Sequence, residues 1–228
     1  VTLAADATVT ANNRWDVRGD GSPDLAGHTL TKAGSDTIAI KSAPTSAGTI
    51  NVAAGRVALE SNFNGASSAT ADITVQAGAN VAAYNSRTIE SDVTLNGSTA
   101  EIASQGGSRS AWAGTITLNG GGRINTATTD IEISGTLAGS DTLGITGGRY
   151  ATFTGSSPAF TGKFNVSGNS STLRLASDAA LGAHTGTNTI TLQSNGRIQG
   201  GNPSSGADVT IGAGHGITIP ASNSGYMH

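Results

Sequence analysis

The densest group of residues able to coordinate a metal is Asp16, Asp20 and Asp24, interleaved with Gly19 and Gly21. Oxygen-rich, glycine-broken loops of this kind can hold Ca²⁺, a hard cation that prefers carboxylates and carbonyls. The spacing is not that of an EF-hand, and no Gly-Gly-x-Gly-x-Asp nonapeptide follows, so the stretch reads as a solvated turn. Arg18-Gly19-Asp20 matches an integrin-type tripeptide, which chance alone supplies. Asp130 and Glu132 lie two apart in an alternating stretch and should share one side of a strand, with Asp141 on the next rung. Paired carboxylates on adjacent rungs are what a polysaccharide lyase or hydrolase uses for general acid and base work. Acids on a strand face also keep it soluble and block edge pairing, and that is the preferred reading.

The remaining candidates carry less chemistry. Lys32, Lys41 and Lys163 are the only lysines, and His28, His184, His215 and His228 the only histidines. None lies in a nucleophile motif, and His28 reads as a strand or corner residue rather than a base. Gly120-Gly121-Gly122 lacks the Gly-Lys-Ser/Thr and the following helix of a phosphate loop. Trp15, Trp112, Phe153, Phe160 and Phe164 are expected as core or end plugs, and Tyr84, Tyr150 and Tyr226 are the only phenols, too few for a sugar-stacking platform. No catalytic, cofactor-binding or metal-ligating residue is assigned.

Whatever these residues do, short strands must position them. Ile116-Thr-Leu-Asn-Gly-Gly-Gly-Arg-Ile124 returns almost unchanged as Ile190-Thr-Leu-Gln-Ser-Asn-Gly-Arg-Ile198, and more loosely from Val93 to Ile102 and from Ile50 to Leu59. Each copy is strand, corner, strand, because apolar residues two apart share a face and Gly or Asn tolerates a positive φ. Strand signals run throughout, including Ala7 to Thr10, His28 to Lys32, Thr88 to Leu95, Asp130 to Ser134, Asp208 to Ile211 and Gly216 to Ile219. No long window has helical periodicity. With 33 glycines and only 12% charged residues, the chain departs from an average globular domain. The strands at Ile50, Ile73, Val93 and Ile116 recur every 20 to 23 residues, a period suited to stacked rungs. Short strands bury little in antiparallel pairs but share one core when stacked in parallel, so a sandwich is less favoured. The expected fold is all-β: one parallel β-helix over residues 1–228, of about ten coils and about 50 Å in length. Outward Thr and Asn rows should form hydrogen-bonded ladders.

Composition excludes other classes. A net charge of -3 with scattered cations gives no basic stripe for nucleic acid. No apolar run reaches the roughly 20 residues that span a bilayer. Zero cysteine fits either a reducing cytosol or a chain kept unfolded during export. Val1 to Asp6 lacks the parts of a signal peptide, and the absence of an initiator Met suggests a piece of a longer polypeptide.

Three segments carry a family resemblance. The run from Trp15 to Gly34, containing Gly27-His28-Thr29-Leu30-Thr31-Lys32, resembles a phrase of bacterial autotransporter passenger domains and their associated β-strand repeats. Phe153 to Val166, followed by Thr172 to Gly182 and Asn188 to Leu192, is similar to the repeat unit of the same group, as are Ser134 to Leu137 and Leu143 to Gly148. The resemblance implies a right-handed parallel β-helix exported to the cell surface as an adhesin, fibre or stalk. The translocator barrel and export signal of that group are not in this sequence. The function expected is therefore a non-enzymatic, extracellular structural or adhesive segment, with a carbohydrate-active β-helix (lyase, hydrolase or phage tailspike) as the alternative. A third option is recognition of glycan or ice by an outward Thr array. No cofactor is expected, nor nucleic-acid binding or membrane insertion. Partners expected are a host-surface or glycan ligand and further copies stacked end to end, because Val1 to Thr10 and Ala207 to Ile219 read as ordinary rungs. Val209, Ile211, Ile217 and Ile219 keep the inward spacing, and only Pro220 and the short tail after it could blunt the last edge.

Overall fold

The computed structural model describes residues 1–17, 22–63, 71–183, 188–201, 208–220 and 226–227. The chain winds through three sheets of seven, ten and seven strands, and neighbouring strands in each pair in parallel. The first sheet stacks Ala7–Thr10, Thr29–Ala33, Gly48–Val52, Ala71–Gln76, Val93–Asn96, Ile116–Asn119 and Leu137–Ala138. The second runs from Trp15–Val17 through Thr37–Ile40, Arg56–Leu59, Asn80–Tyr84, Glu101–Gln105, Gly122–Asn125, Thr142–Thr146, Lys163–Val166 and Thr189–Leu192 to Gly216–Thr218. The third holds Thr88–Ile89, Ser110–Trp112, Ile131–Ile133, Tyr150–Phe153, Thr172–Leu175, Arg197–Gly200 and Tyr226–Met227. This is a parallel β-solenoid. Its strands, shared over three sides, amount to about eight full turns. The count falls a little short of ten coils because some turns have a loop or a lone bridge on one side, as at Phe63 and Phe160. A single 3-10 turn, Asp178–Leu181, interrupts the strands among the described residues.

The 20-to-23-residue period is the coil. Ile50 pairs with Ile73, Ile73 with Val93 and Val93 with Ile116, all in the first sheet. In the second sheet Ile38, Val57, Val81, Ile102, Ile124, Ile145, Val166 and Leu192 form one ladder of successive register partners, every member buried. The third contributes Ile89, Trp112, Ile133, Phe153 and Leu175. Burial of such side chains stabilises by roughly 1.5 to 3 kcal/mol each, so the shared interior offsets chain entropy without a disulfide. Corners are tight. At Gly34 φ is +80°, and a Cβ there would lie 2.5 Å from the Ala11 carbonyl oxygen one coil below.

Several sequence expectations need correction. The near-identical repeats do not occupy equivalent places: Ile116 to Ile124 turns from the first sheet to the second, whereas Ile190 to Ile198 turns from the second to the third. Strand, corner, strand is the grammar of every corner, so likeness of sequence does not identify the side. The stretch Thr88 to Leu95 is two strands, because the chain must leave the third sheet after Ile89 and enter the first at Val93. Asp208 to Ile211 has no ladder partner, although Val209 and Ile211 still pack on the core. Trp15–Val17, Ser110–Trp112 and Leu137–Ala138 are strands too short to give an alternating signal.

Candidate functional site

The most regular surface is the outer face of the first sheet. Inward Leu, Ile and Val alternate with outward Thr, so stacking lines up Thr8, Thr31, Asn51, Thr74, Thr94 and Thr117 rung upon rung. Beside this row, Thr29 pairs with Thr49 and Thr49 with Asp72. The same side continues at the corner, where Asp92 accepts from the Thr115 amide at 2.7 Å and the Thr136 hydroxyl donates to that of Thr115 at 3.3 Å. At the far edge of the sheet the amides form a chain. Asn119 donates to Asn96 at 2.9 Å, Asn96 to Gln76 at 3.3 Å, Gln76 to Asn51 at 3.0 Å and Asn51 to the Thr31 hydroxyl at 3.4 Å. Each half-exposed bond contributes at most about 1 kcal/mol, but together they fix register over five rungs. Neither row holds Lys, Arg or His, and the one acid in them, Asp72, is exposed.

The acidic cluster does not converge in the described part. Asp16 accepts from Arg14 Nε at 2.9 Å, and the same guanidinium reaches Glu60 at 2.8 Å. Lys41 pairs with Glu60 and lies 3.9 Å from Asp16, which completes a four-member ion network on the second sheet. Asp24 takes the Ser46 hydroxyl, the Ala26 amide at 3.0 Å and the Thr2 hydroxyl at 3.4 Å. The Ser46 and Ala26 hydrogen bonds, in that order, hold its pKa below the ordinary carboxylate range. Asp16 and Asp24 therefore serve different neighbours, and Arg18, Gly19, Asp20 and Gly21 lie outside the described residues. Among the described residues no group of three or more His, Cys, Asp or Glu could hold a metal.

Of the acids considered for catalysis, Asp141 separates from the other two. Glu132 lies on the third sheet, paired with Arg109 at 3.1 Å and accepting from the Thr154 hydroxyl at 3.1 Å, and Asp130 accepts from the Tyr150 amide at 3.2 Å. Asp141 is not on that side. It accepts from the Gly120 amide at 2.8 Å at the corner between the first and second sheets, because the chain has already turned once by residue 141. His28 is half-exposed, 3.7 Å from Asp6. His215 is buried, 3.7 Å from Asp178, whose carboxylate also accepts from the Gly212 amide and so ties residues 212–215 to the 3-10 turn. His184 and His228 lie outside the described residues. Trp112, Phe153, Phe160 and Phe164 are core. Trp15 is 55% exposed, since it heads the inward ladder at Ile38 and no rung among the described residues covers it. It lines an apolar end cleft of about 230 Å³ with Val1, Leu3, Val9, Val17 and Leu25.

One residue was not visible as special in the sequence. Lys32 occupies an inward ladder position between Val9 and Val52 and is 1% exposed. Its ammonium donates to the Gly34 carbonyl at 2.6 Å and the Ala54 carbonyl at 2.8 Å, clamping the first-to-second corner of two coils. Desolvation lowers its pKa, with Asp36 opposing the shift. The signal was its parity with Leu30, which puts residue 32 on the core side. The described helical residues include no helix long and apolar enough to cross a membrane. Comparison with models of protein families, with curated proteins and with solved structures gives no match.

Proposed function

We propose that this chain is a non-enzymatic structural or adhesive segment of an extracellular surface protein, acting as a stiff rod. The observation that carries the reading is the unbroken ladder from Ile38 to Leu192, register partner upon register partner across the second sheet. In such a body the interstrand hydrogen bonds run along the axis, so bending or proteolysis requires many of them to open together. The amide chain on the first sheet adds to this stiffness. Asp141 lies on a different side from Asp130 and Glu132, and all three are engaged with backbone, hydroxyl or arginine, which favours a surface role for them. Resemblance of Trp15 to Gly34 to autotransporter passengers supports placement outside the cell. The apolar cleft around Trp15 and the exposed Ile217 and Ile219 fit a further rung, supplied by a longer polypeptide or by a second copy stacked end to end.

Incubation with neutral and acidic polysaccharides, followed by measurement of reducing ends and unsaturated uronates, tests the reading. No product is expected. Product release that disappears in Asp130→Ala would replace the rod with a carbohydrate-active enzyme.

A further inference from the structure

Three arginines that are isolated in sequence come together in space. Over its last three full rungs the third sheet is built from Tyr150–Phe153, Thr172–Leu175 and Arg197–Gly200, strands without a single carboxylate. Tyr150, Thr172 and Arg197 share one outward row, and Thr152, Arg174 and Gln199 the next. Arg149, immediately before the first of these strands, is exposed. Three guanidinium groups thus stand on three successive rungs of one side of a chain whose net charge is -3. Rungs are about 4.8 Å apart, and diagonal neighbours in adjacent rungs about 7 to 8 Å apart, so Arg174 and Arg197 can reach a common ligand.

Arg174 is held in place before any ligand arrives. Its guanidinium carbon lies 3.7 Å from the centre of the Tyr150 ring, and its Nε and Nη2 donate to Gln199 Oε1 at 3.2 and 3.1 Å. Stacking and a forked hydrogen bond remove rotamer freedom that binding would otherwise have to remove. The Nη1 donors remain over for the oxygens of an anion.

We infer that this arginine patch binds a linear anionic polysaccharide along the rod axis, each anionic group meeting a guanidinium on its own rung. The shared chemistry is a sugar carboxylate or sulfate ester. Nucleic acid fits less well, because base recognition needs an open aromatic face and Arg174 covers that of Tyr150. The inference names a ligand class for the adhesive part of the proposed function, and rests on that reading.

The test uses the full chain with heparin as the sulfated probe, polygalacturonate as the carboxylated probe, dextran as the uncharged control and duplex DNA as the competing polyanion. Expected is saturable binding to heparin, polygalacturonate or both, weakened by salt and absent for dextran. Arg174→Gln should lose roughly tenfold in affinity or more, the effect of one charge-assisted hydrogen bond. Arg174→Lys should fall between the two, because an ammonium neither forks nor stacks as a guanidinium does. Arg56→Gln, on the second sheet, should bind like the parent. Unchanged melting curves for the Arg174 variants separate lost binding from lost fold. No saturable binding, an equal loss in Arg56→Gln, or DNA bound as tightly as the polysaccharides would overturn the inference. Release of sugar product would count against the rod reading instead, whatever Arg174→Gln does.

Discussion

Phe164 is a place where the interior is sensitive to a single truncation. Its ring is 1% exposed and packs edge-on against Phe153, centroids 5.6 Å apart at 89°, and against Phe160 at 5.4 Å and 69°. It is also the register partner of Leu143 below and Ile190 above. Phe164→Ala deletes a buried aromatic from a site whose walls are two sheets, so collapse into the space is limited, and the cost should be about 3 to 5 kcal/mol. Of this, the two edge-to-face pairs account for about 0.5 to 1.5 kcal/mol each. Urea unfolding followed by far-UV circular dichroism measures the loss, and Phe164→Leu should recover more than half of it. Because a solenoid rung touches only its neighbours, native-state hydrogen exchange should quicken between Leu143 and Leu192 far more than between Ile38 and Val81. A loss below about 1 kcal/mol, or a change in exchange spread evenly along the chain, would refute the account of a stacked, locally coupled core.

Further expectations follow from individual residues. Lys32 is a base whose folded pKa is lowered, so folding is weakened while it is charged, and stability should rise as pH climbs from that lowered value towards the ordinary 10.5. Urea midpoints across alkaline pH should show this rise in the parent but not in Lys32→Met, and equal slopes would contradict it. Asp24 is a carboxylate with its folded pKa lowered, so its contribution is present above the ordinary carboxylate range and disappears as pH falls through the folded value. Acid titration of Asp24→Asn should be flatter than that of the parent, and superimposable curves would contradict this. Gly34→Ala combines φ of +80° with a clash on the Ala11 backbone, and should cost at least about 2 kcal/mol. Gly27→Ala has φ of +81° but nothing within 4 Å, so only the roughly 1 to 2 kcal/mol of the left-handed conformation applies. Melting temperatures in the reverse order would reject the close-approach argument at Gly34.

The coil period was legible because Ile50, Ile73, Val93 and Ile116 repeat an inward branched residue at the coil length, and stacking makes the same repeat a register. Polar ladders were legible for the same reason: Asn96 and Asn119 follow those strands at equal offsets. Which side of the solenoid a segment occupies was not legible, since the corners share their Gly and Asn chemistry, and Ile190 to Ile198 accordingly sits one side further round than its likeness to Ile116 to Ile124 suggests. The same ambiguity separates Asp141 from Asp130 and Glu132. The clamp made by Lys32 was not legible because its carbonyl partner Ala54 comes from the next coil, 22 residues on. The arginine patch escaped notice because Arg149, Arg174 and Arg197 are each isolated in sequence, one per rung, and only the pairing of Tyr150 with Thr172 and Thr172 with Arg197 brings them to one face.

The central claim is that one continuous stack, rather than a string of independent units, gives the chain its stiffness. Residue-resolved hydrogen exchange under native conditions tests it most directly. Amides of the second sheet from Thr37–Ile40 to Thr189–Leu192 should form a single protected block, with protection declining only towards Trp15–Val17 and Gly216–Thr218. Rapid exchange in an interior strand such as Glu101–Gln105, with slow exchange on both sides of it, would contradict the claim.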